Sequence, residues 1–245
     1  MKTLIFIPGL GYSKSLWKKM LKYFPKNKYK TIAFDIPEYY KIYKGKPLDF
    51  DLFPIYVKDV LKKLKIKSPY ILVGHSLGGY ISLEYSIKFP REVKKLVIVS
   101  SPLRKPNSHS PKNFRFLIWI GINLGFVDKI IKLILNSKNK LLKSTLQKLI
   151  PLDAGFLKKS NAKSVALCCR DLLTHDWPSK VSMVHIPILL AYGTKDSAVI
   201  KINGTELYNN FKNKKVISYL CNHSIPVHHP KELAEEIIKF TSHQT

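Results

Sequence analysis

The sequence predicts an α/β fold: a mostly parallel central sheet with helices on both faces, interrupted by a helical insertion. Three observations carry this. Short, nearly continuous apolar runs recur along the 245 residues. Amphipathic stretches of helical length separate them. The alternation then fails once, between about residues 103 and 182, and resumes afterwards. Strands buried on both faces read as unbroken Ile/Val/Leu runs, and strands alternating with helices favour a parallel sheet.

In chain order, "TLIFIPG" (3–9) and "KTIAFDIP" (30–37) read as strands, each stopped by proline. "LFPIYVKDVLKKLKI" (52–66) reads as a helix with Ile55, Val60, Leu61 and Leu64 inward and lysines opposite. "PYILVGH" (69–75) is a third strand, "GGYISLEYSIKFP" (78–90) a helix ended by Pro90, and "KKLVIVSSP" (94–102) a fourth strand. The insertion opens with the turn-rich "PLRKPNSHSPKN" and continues with helical patterns. "IPILLAYG" (186–193) and "KKVISYLC" (214–221) restore the strands. "HPKELAEEIIKF" (229–240) closes the chain as a helix, with proline and acidic residues in its first turn. The expected organisation is a core of 1–102 and 183–245 around an inserted segment at 103–182.

Composition narrows the function. Lys plus Arg number 42 against 16 Asp plus Glu, a formal charge of +26. Only Arg91, Arg104, Arg115 and Arg170 are arginines, and the lysines are spread along the whole chain. Readers of nucleic acid cluster their charge and use arginine on base edges. The excess therefore reads as the composition of an AT-rich genome, and no nucleic-acid partner is expected. Three cysteines, two of them adjacent at Cys168 and Cys169, build no disulfide framework and fit a reducing, cytoplasmic setting. The first apolar run, Leu4–Ile7, is too short for a secretory signal. The longest, "FLIWIGINLGFV" (116–127), falls short of the ~20 residues of a spanning helix. No transmembrane segment and no cofactor motif are expected.

One stretch carries chemistry. In "YILVGHSLGGY" (70–80) a buried strand runs into Gly74-His75-Ser76-Leu77-Gly78, and a helix follows. A sharp strand-to-helix turn strains the serine backbone and needs small flanking residues. It leaves the hydroxyl exposed at a helix N-terminus, where free N–H groups favour developing negative charge. A serine hydroxyl needs a base. His223, after the last strand, lies on the same rim of the sheet. His75 adjoins the serine, but neighbouring side chains diverge, so it reads as structural. His228 and His229 read as surface or capping residues, and no carboxylate or cysteine constellation makes the trio a metal site. The base needs an orienting carboxylate. Asp196, three residues past Gly193 at a strand end, is preferred to Asp171, Asp176 and Glu206.

The order Ser76, Asp196, His223, together with "GHSLGG", "YGTKD" and "NHSIPVHHPKELAEEI", resembles the α/β-hydrolase fold superfamily over nearly all of the chain outside the insertion. The resemblance implies a Ser-His-Asp triad and acyl transfer. It implies an oxyanion hole from the backbone N–H groups of Leu10 and Leu77, although Pro8 stands where relatives carry histidine. "FDIPEYYK" also departs from the glycine-rich turn common in relatives, so no role is carried over there. The insertion corresponds to a lid, in which Phe116, Trp119 and Phe126 would line an acyl pocket. The expected activity is hydrolysis of carboxylic esters of small or medium acyl chains, lactones included; the alternatives are a thioesterase, an ester hydrolase or acyltransferase acting on an acidic acyl-carrier protein, and a non-enzymatic ligand-binding protein on the same fold. A dehalogenase or epoxide hydrolase would need a carboxylate at position 76.

Overall fold

Period-two packing of the apolar runs sets the architecture of the computed structural model, which describes residues 1–10, 12–37, 42–103, 139, 175–196, 199 and 205–242. Six strands pair side by side, every neighbour parallel: β1 (Lys2–Ile7), β2 (Tyr29–Ala33), β5 (Tyr70–His75), β6 (Val93–Val99), β7 (Ile188–Gly193) and β8 (Lys214–Tyr219). Their order across the sheet is β2-β1-β5-β6-β7-β8. The chain first winds outward from β1 to β2, then returns to the far side of β1 and proceeds through β5 to β8. The reversal falls between β1 and β5. In an open parallel sheet the crevice beyond the carboxyl ends at such a reversal is where ligands bind.

Leu4 and Phe6 of β1, Ile71 and Val73 of β5, Val97 and Val99 of β6, and Leu189 and Ala191 of β7 share one buried cluster. It is covered by Trp17, by Met20 of α1 (Lys18–Leu21) and by Leu233, Ala234 and Ile237 of α6 (Pro230–Ser242). Burying each large apolar side chain contributes roughly 1.5–3 kcal/mol. Alternate residues point to the opposite face, where Ile5, Ile7, Leu72 and Ile98 are also fully buried. Helix α3 (Leu77–Lys88) lies against β5 and β6, and α2 (Phe53–Lys63) packs on α3. Residues 77–86 of α3 are all buried, which explains why this helix has little polar surface.

Two expectations need correction. The inward face of α2 is Phe53, Pro54, Val57 and Leu61, while Leu64 is exposed and Ile55 and Val60 are half-buried. The helix begins at Phe53, and the aromatic ring, not the downstream lysine pattern, sets its rotation. The two edge strands are not buried on both faces. In β8, Ile217 and Tyr219 pack inward while Val216 and Ser218 face outward. β2 is only partly covered.

The short helix α4 (Trp177–Ser182) lies in the same unit as the sheet, its Trp177 ring 4.4 Å from Tyr80 and 5.4 Å from Phe50. A buried-side ion pair, Lys180 Nζ to Glu84 Oε2 at 2.9 Å, ties it to α3. Residues 37–49 and 106–175 form a second unit. Its described residues include the antiparallel pair β3 (Ile42–Tyr43) and β4 (Lys46–Pro47). The turn places Lys44 (φ 50°) and Gly45 (φ 77°) in the left-handed region, as a tight two-residue hairpin requires.

Candidate active site

The elbow is built by close backbone contact. β5 ends at His75, and Ser76 follows with φ 50° and ψ −117°, a strained conformation for a residue with a side chain. Ser76 N–H donates to Val99 O at 2.8 Å, which holds the turn in register with β6. A Cβ at Gly74 would collide with the Gly78 backbone, and one at Gly78 with the Ile7 and Pro8 carbonyls. Glycine is needed at both because backbone passes against backbone there. Gly9, beyond the end of β1, lies just as close: a Cβ on it would sit 2.9 Å from Ser76 Cβ and from His75 Nδ1. The 8–10 turn therefore abuts the nucleophile candidate at the β1/β5 reversal. Leu77 opens α3, so its N–H has no partner within the helix. Among the described residues neither it nor the Leu10 N–H donates to a protein acceptor.

Asp196 and His223 meet as the sequence predicts. Asp196 follows β7, its side chain 1% exposed, and its Oδ2 accepts from His223 Nδ1–H at 2.7 Å. Asp196 Oδ1 accepts from the Val199 N–H at 3.2 Å. An ionised carboxylate only accepts, so Nδ1 carries the proton and the lone pair of a neutral His223 is on Nε2. That is the tautomer a general base needs. The loops after β7 and β8 are stitched together by Thr194 N–H to Tyr219 O (2.8 Å) and Lys195 N–H to Cys221 O (2.9 Å). Gly193 permits this crossing, since a Cβ there would strike the Cys221 and Asn222 carbonyls. No hydrogen bond joins Ser76 Oγ to His223 Nε2 among the described residues. In free enzymes such bonds often tighten only with substrate bound.

The described rivals sit elsewhere. Asp176 caps α4, accepting from Ser179 N–H (3.2 Å) and Ser179 Oγ–H (2.6 Å), and the hydroxyl's bond holds its carboxyl below the usual range. Glu206 is exposed in a turn. His228 ends the short helix α5 (Ile225–His228), and His229 packs its ring on Tyr219 at 5.3 Å. Asp171, Phe116, Trp119 and Phe126 lie outside the described residues. Among the described residues no group of three His, Cys, Asp or Glu side chains converges to hold a metal, and no helix is long and apolar enough to cross a membrane.

Some supporting groups have no sequence signal. Ser101 Oγ–H donates to Ser76 O at 2.7 Å, and Tyr208 O–H donates to Ser101 O at 2.9 Å. Tyr12 O–H and Ser224 Oγ are 2.9 Å apart, linking the turn after β1 to the loop of His223. A strained serine, and a buried carboxylate bonded to an imidazole, thus all lie just past strand ends on one rim of the sheet. A family model described as alpha/beta hydrolase fold matches residues 2–230. The chain belongs to the α/β-hydrolase fold family. It is 24% identical over 253 aligned positions to the uncharacterized hydrolase YugF of Bacillus subtilis (strain 168), covering 98% of this chain and 89% of that protein. Over 101 residues it is 34% identical to a pimeloyl-[acyl-carrier protein] methyl ester esterase of Wigglesworthia glossinidia brevipalpis, 40% of this chain and 36% of that one. Among solved structures, a thermophilic esterase from Thermogutta terrifontis superposes with a TM-score of 0.72 at 13% identity, covering 99% of this chain and 90% of that one. A bromoperoxidase from Bacillus anthracis superposes equally well (TM-score 0.72, 18% identity, 99% and 92% covered). At these identities the two structures speak for the fold.

Proposed function

We propose that this α/β-hydrolase is a cytoplasmic serine hydrolase that cleaves carboxylic esters of small or medium acyl chains. The observation that carries the reading is the 2.7 Å bond from His223 Nδ1 to the buried Asp196, which leaves Nε2 as the basic nitrogen on the rim that bears Ser76. In the first half-reaction Ser76 Oγ bonds to the ester carbonyl carbon as its proton passes to His223 Nε2. The N–H groups of Leu10 and Leu77 receive the tetrahedral oxyanion, and loss of one such donor costs on the order of 10²–10³ in rate. The C–O bond to the alcohol breaks, and the leaving oxygen takes the proton from His223. Water then repeats the sequence on the acyl-enzyme and frees the acid.

A second reading, hydrolysis of an ester or thioester on an acidic acyl-carrier protein, is favoured by the similarity to the pimeloyl-carrier esterase. The charge of +26 would suit such a partner. One panel separates the two: p-nitrophenyl esters of rising acyl length, lactones, acyl thioesters, and a methyl ester presented free or on carrier protein. The proposal expects turnover of free esters that falls on the order of 10⁶-fold in Ser76→Ala. Unchanged turnover in that variant contradicts it, and turnover of carrier-bound ester alone favours the second reading.

A further inference from the structure

His75, the chain neighbour of the nucleophile candidate, takes no part in the steps above, yet its ring is completely buried. Tyr12, Trp17 and His223 present their rings edge-on at 5.0, 6.3 and 4.9 Å. His75 Nε2 lies 2.9 Å from the His223 carbonyl oxygen. A carbonyl only accepts, so Nε2 carries the proton and Nδ1 the lone pair. Among the described residues Nδ1 is buried without a partner, closed in by Gly9. Burial foremost, then the nearby His223, lowers the His75 pKa to about 3. The ring is therefore a neutral donor throughout the working range of an esterase.

The His223 carbonyl has no other donor among the described residues. Asp196 fixes the ring of His223 through Nδ1, and that contact alone leaves the backbone of the loop to shift. We propose that His75 is a positioning residue for the general base: its Nε2–H···O=C bond anchors the His223 backbone to the nucleophile elbow and so fixes the spacing of Ser76 and His223. The inference rests on the triad reading above. Tyr12, bonded to Ser224 Oγ and packed on His75, contacts the same loop.

The experiment measures kcat, KM and the unfolding temperature of His75→Leu, His75→Gln and His75→Asn on the best p-nitrophenyl ester, beside His223→Ala. Leucine removes the donor and keeps apolar bulk. Glutamine returns an N–H near the position of Nε2. Asparagine carries the same amide on a shorter stem that falls short of the carbonyl. Small misplacements of catalytic groups cost on the order of 10² in rate, so His75→Leu should lose about that much in kcat, with KM changed by less than about threefold. His75→Gln should recover most of the loss and His75→Asn should not. If His75→Leu does not fold, the Gln–Asn contrast decides alone. Equal activity of Gln and Asn, a fully active Leu variant, or a loss confined to KM overturns the inference. An active His223→Ala protein contradicts the triad reading instead, whereas an inactive one beside a fully active His75→Leu removes only the role of His75.

Discussion

The carboxyl and amino ends of the same parallel sheet are built differently. At the carboxyl end, Ser76 and Ser100 both sit one residue past a strand with positive φ, and chain passes against chain too closely for any side chain at Gly74, Gly78 or Gly193. Three polar bonds cross between its segments: Asp196 to His223, His75 to the His223 carbonyl, and Ser101 to the Ser76 carbonyl. At the amino end, Lys95, Lys214, Lys215 and Lys239 line a cleft with Pro187, Asn213 and Phe240. Three of these lysines have a partner. Lys95 donates to Phe240 O at 2.9 Å above that residue's ring, Lys215 pairs with Glu236 at 2.5 Å, and Lys214 reaches the Asn209 carbonyl at 3.0 Å. Abundant lysine thus marks no chemistry, whereas backbone strain and buried polar bonds between loops do.

The largest effect that sharpens this contrast is at Asp196. Asp196→Asn should set an amide against His223 Nδ1 and favour the wrong tautomer, lowering kcat on the order of 10⁴-fold with little change in KM. Asp176→Asn, at a helix cap, should leave kcat unchanged. Steady-state kinetics on one ester reads both, and the reverse pattern would move the orienting role off the β7 rim.

A medium effect concerns acid stability. His75 titrates near 6.5 when unfolded and at about 3 when folded. Above pH 6.5 neither state binds the proton. As pH falls from 6.5 toward 3, only the unfolded state does, so stability is lost by about 1.4 kcal/mol per pH unit from this group. Urea unfolding at pH 7 and pH 5 should show wild type losing about 2 kcal/mol more than His75→Gln. Equal losses would mean that the buried ring is not the acid-sensitive element of the carboxyl end.

The smallest effect is expected at the amino end. Lys214→Ala and Lys239→Ala, both exposed, should change stability by less than about 0.5 kcal/mol and leave kcat/KM alone. A marked loss of activity in either would erase the distinction between the two ends.

The six strands of the main sheet were legible because interior strands carry unbroken apolar runs such as "YILV" and "LVIV", and the elbow was legible because its Gly-x-Ser-x-Gly pattern falls between a strand run and a helical pattern. Asp196 and His223 followed from position alone, since both lie just past strand ends. The sequence did not reveal which strands are edges: "KKVISY" looks as buried as its neighbours until the order of the sheet leaves Val216 in water. Nor did it reveal the rotation of α2, where Phe53 and Val57 outweigh Val60 and Leu64. The His75 contact was not legible for a physical reason: its partner, the His223 carbonyl, is 148 positions along the chain. Long-range partners of this kind, like Tyr208 with Ser101, leave no periodicity to read.

The central claim is that Ser76 is a nucleophile activated by His223. Its most direct test is mass spectrometry of protein treated with a fluorophosphonate, a reagent that bonds only to an activated serine. The account predicts one adduct, on the peptide containing Ser76, formed at a rate that collapses in His223→Ala while the variant stays folded. An adduct on another serine, or equal labelling of Ser76 with and without the imidazole, would contradict it.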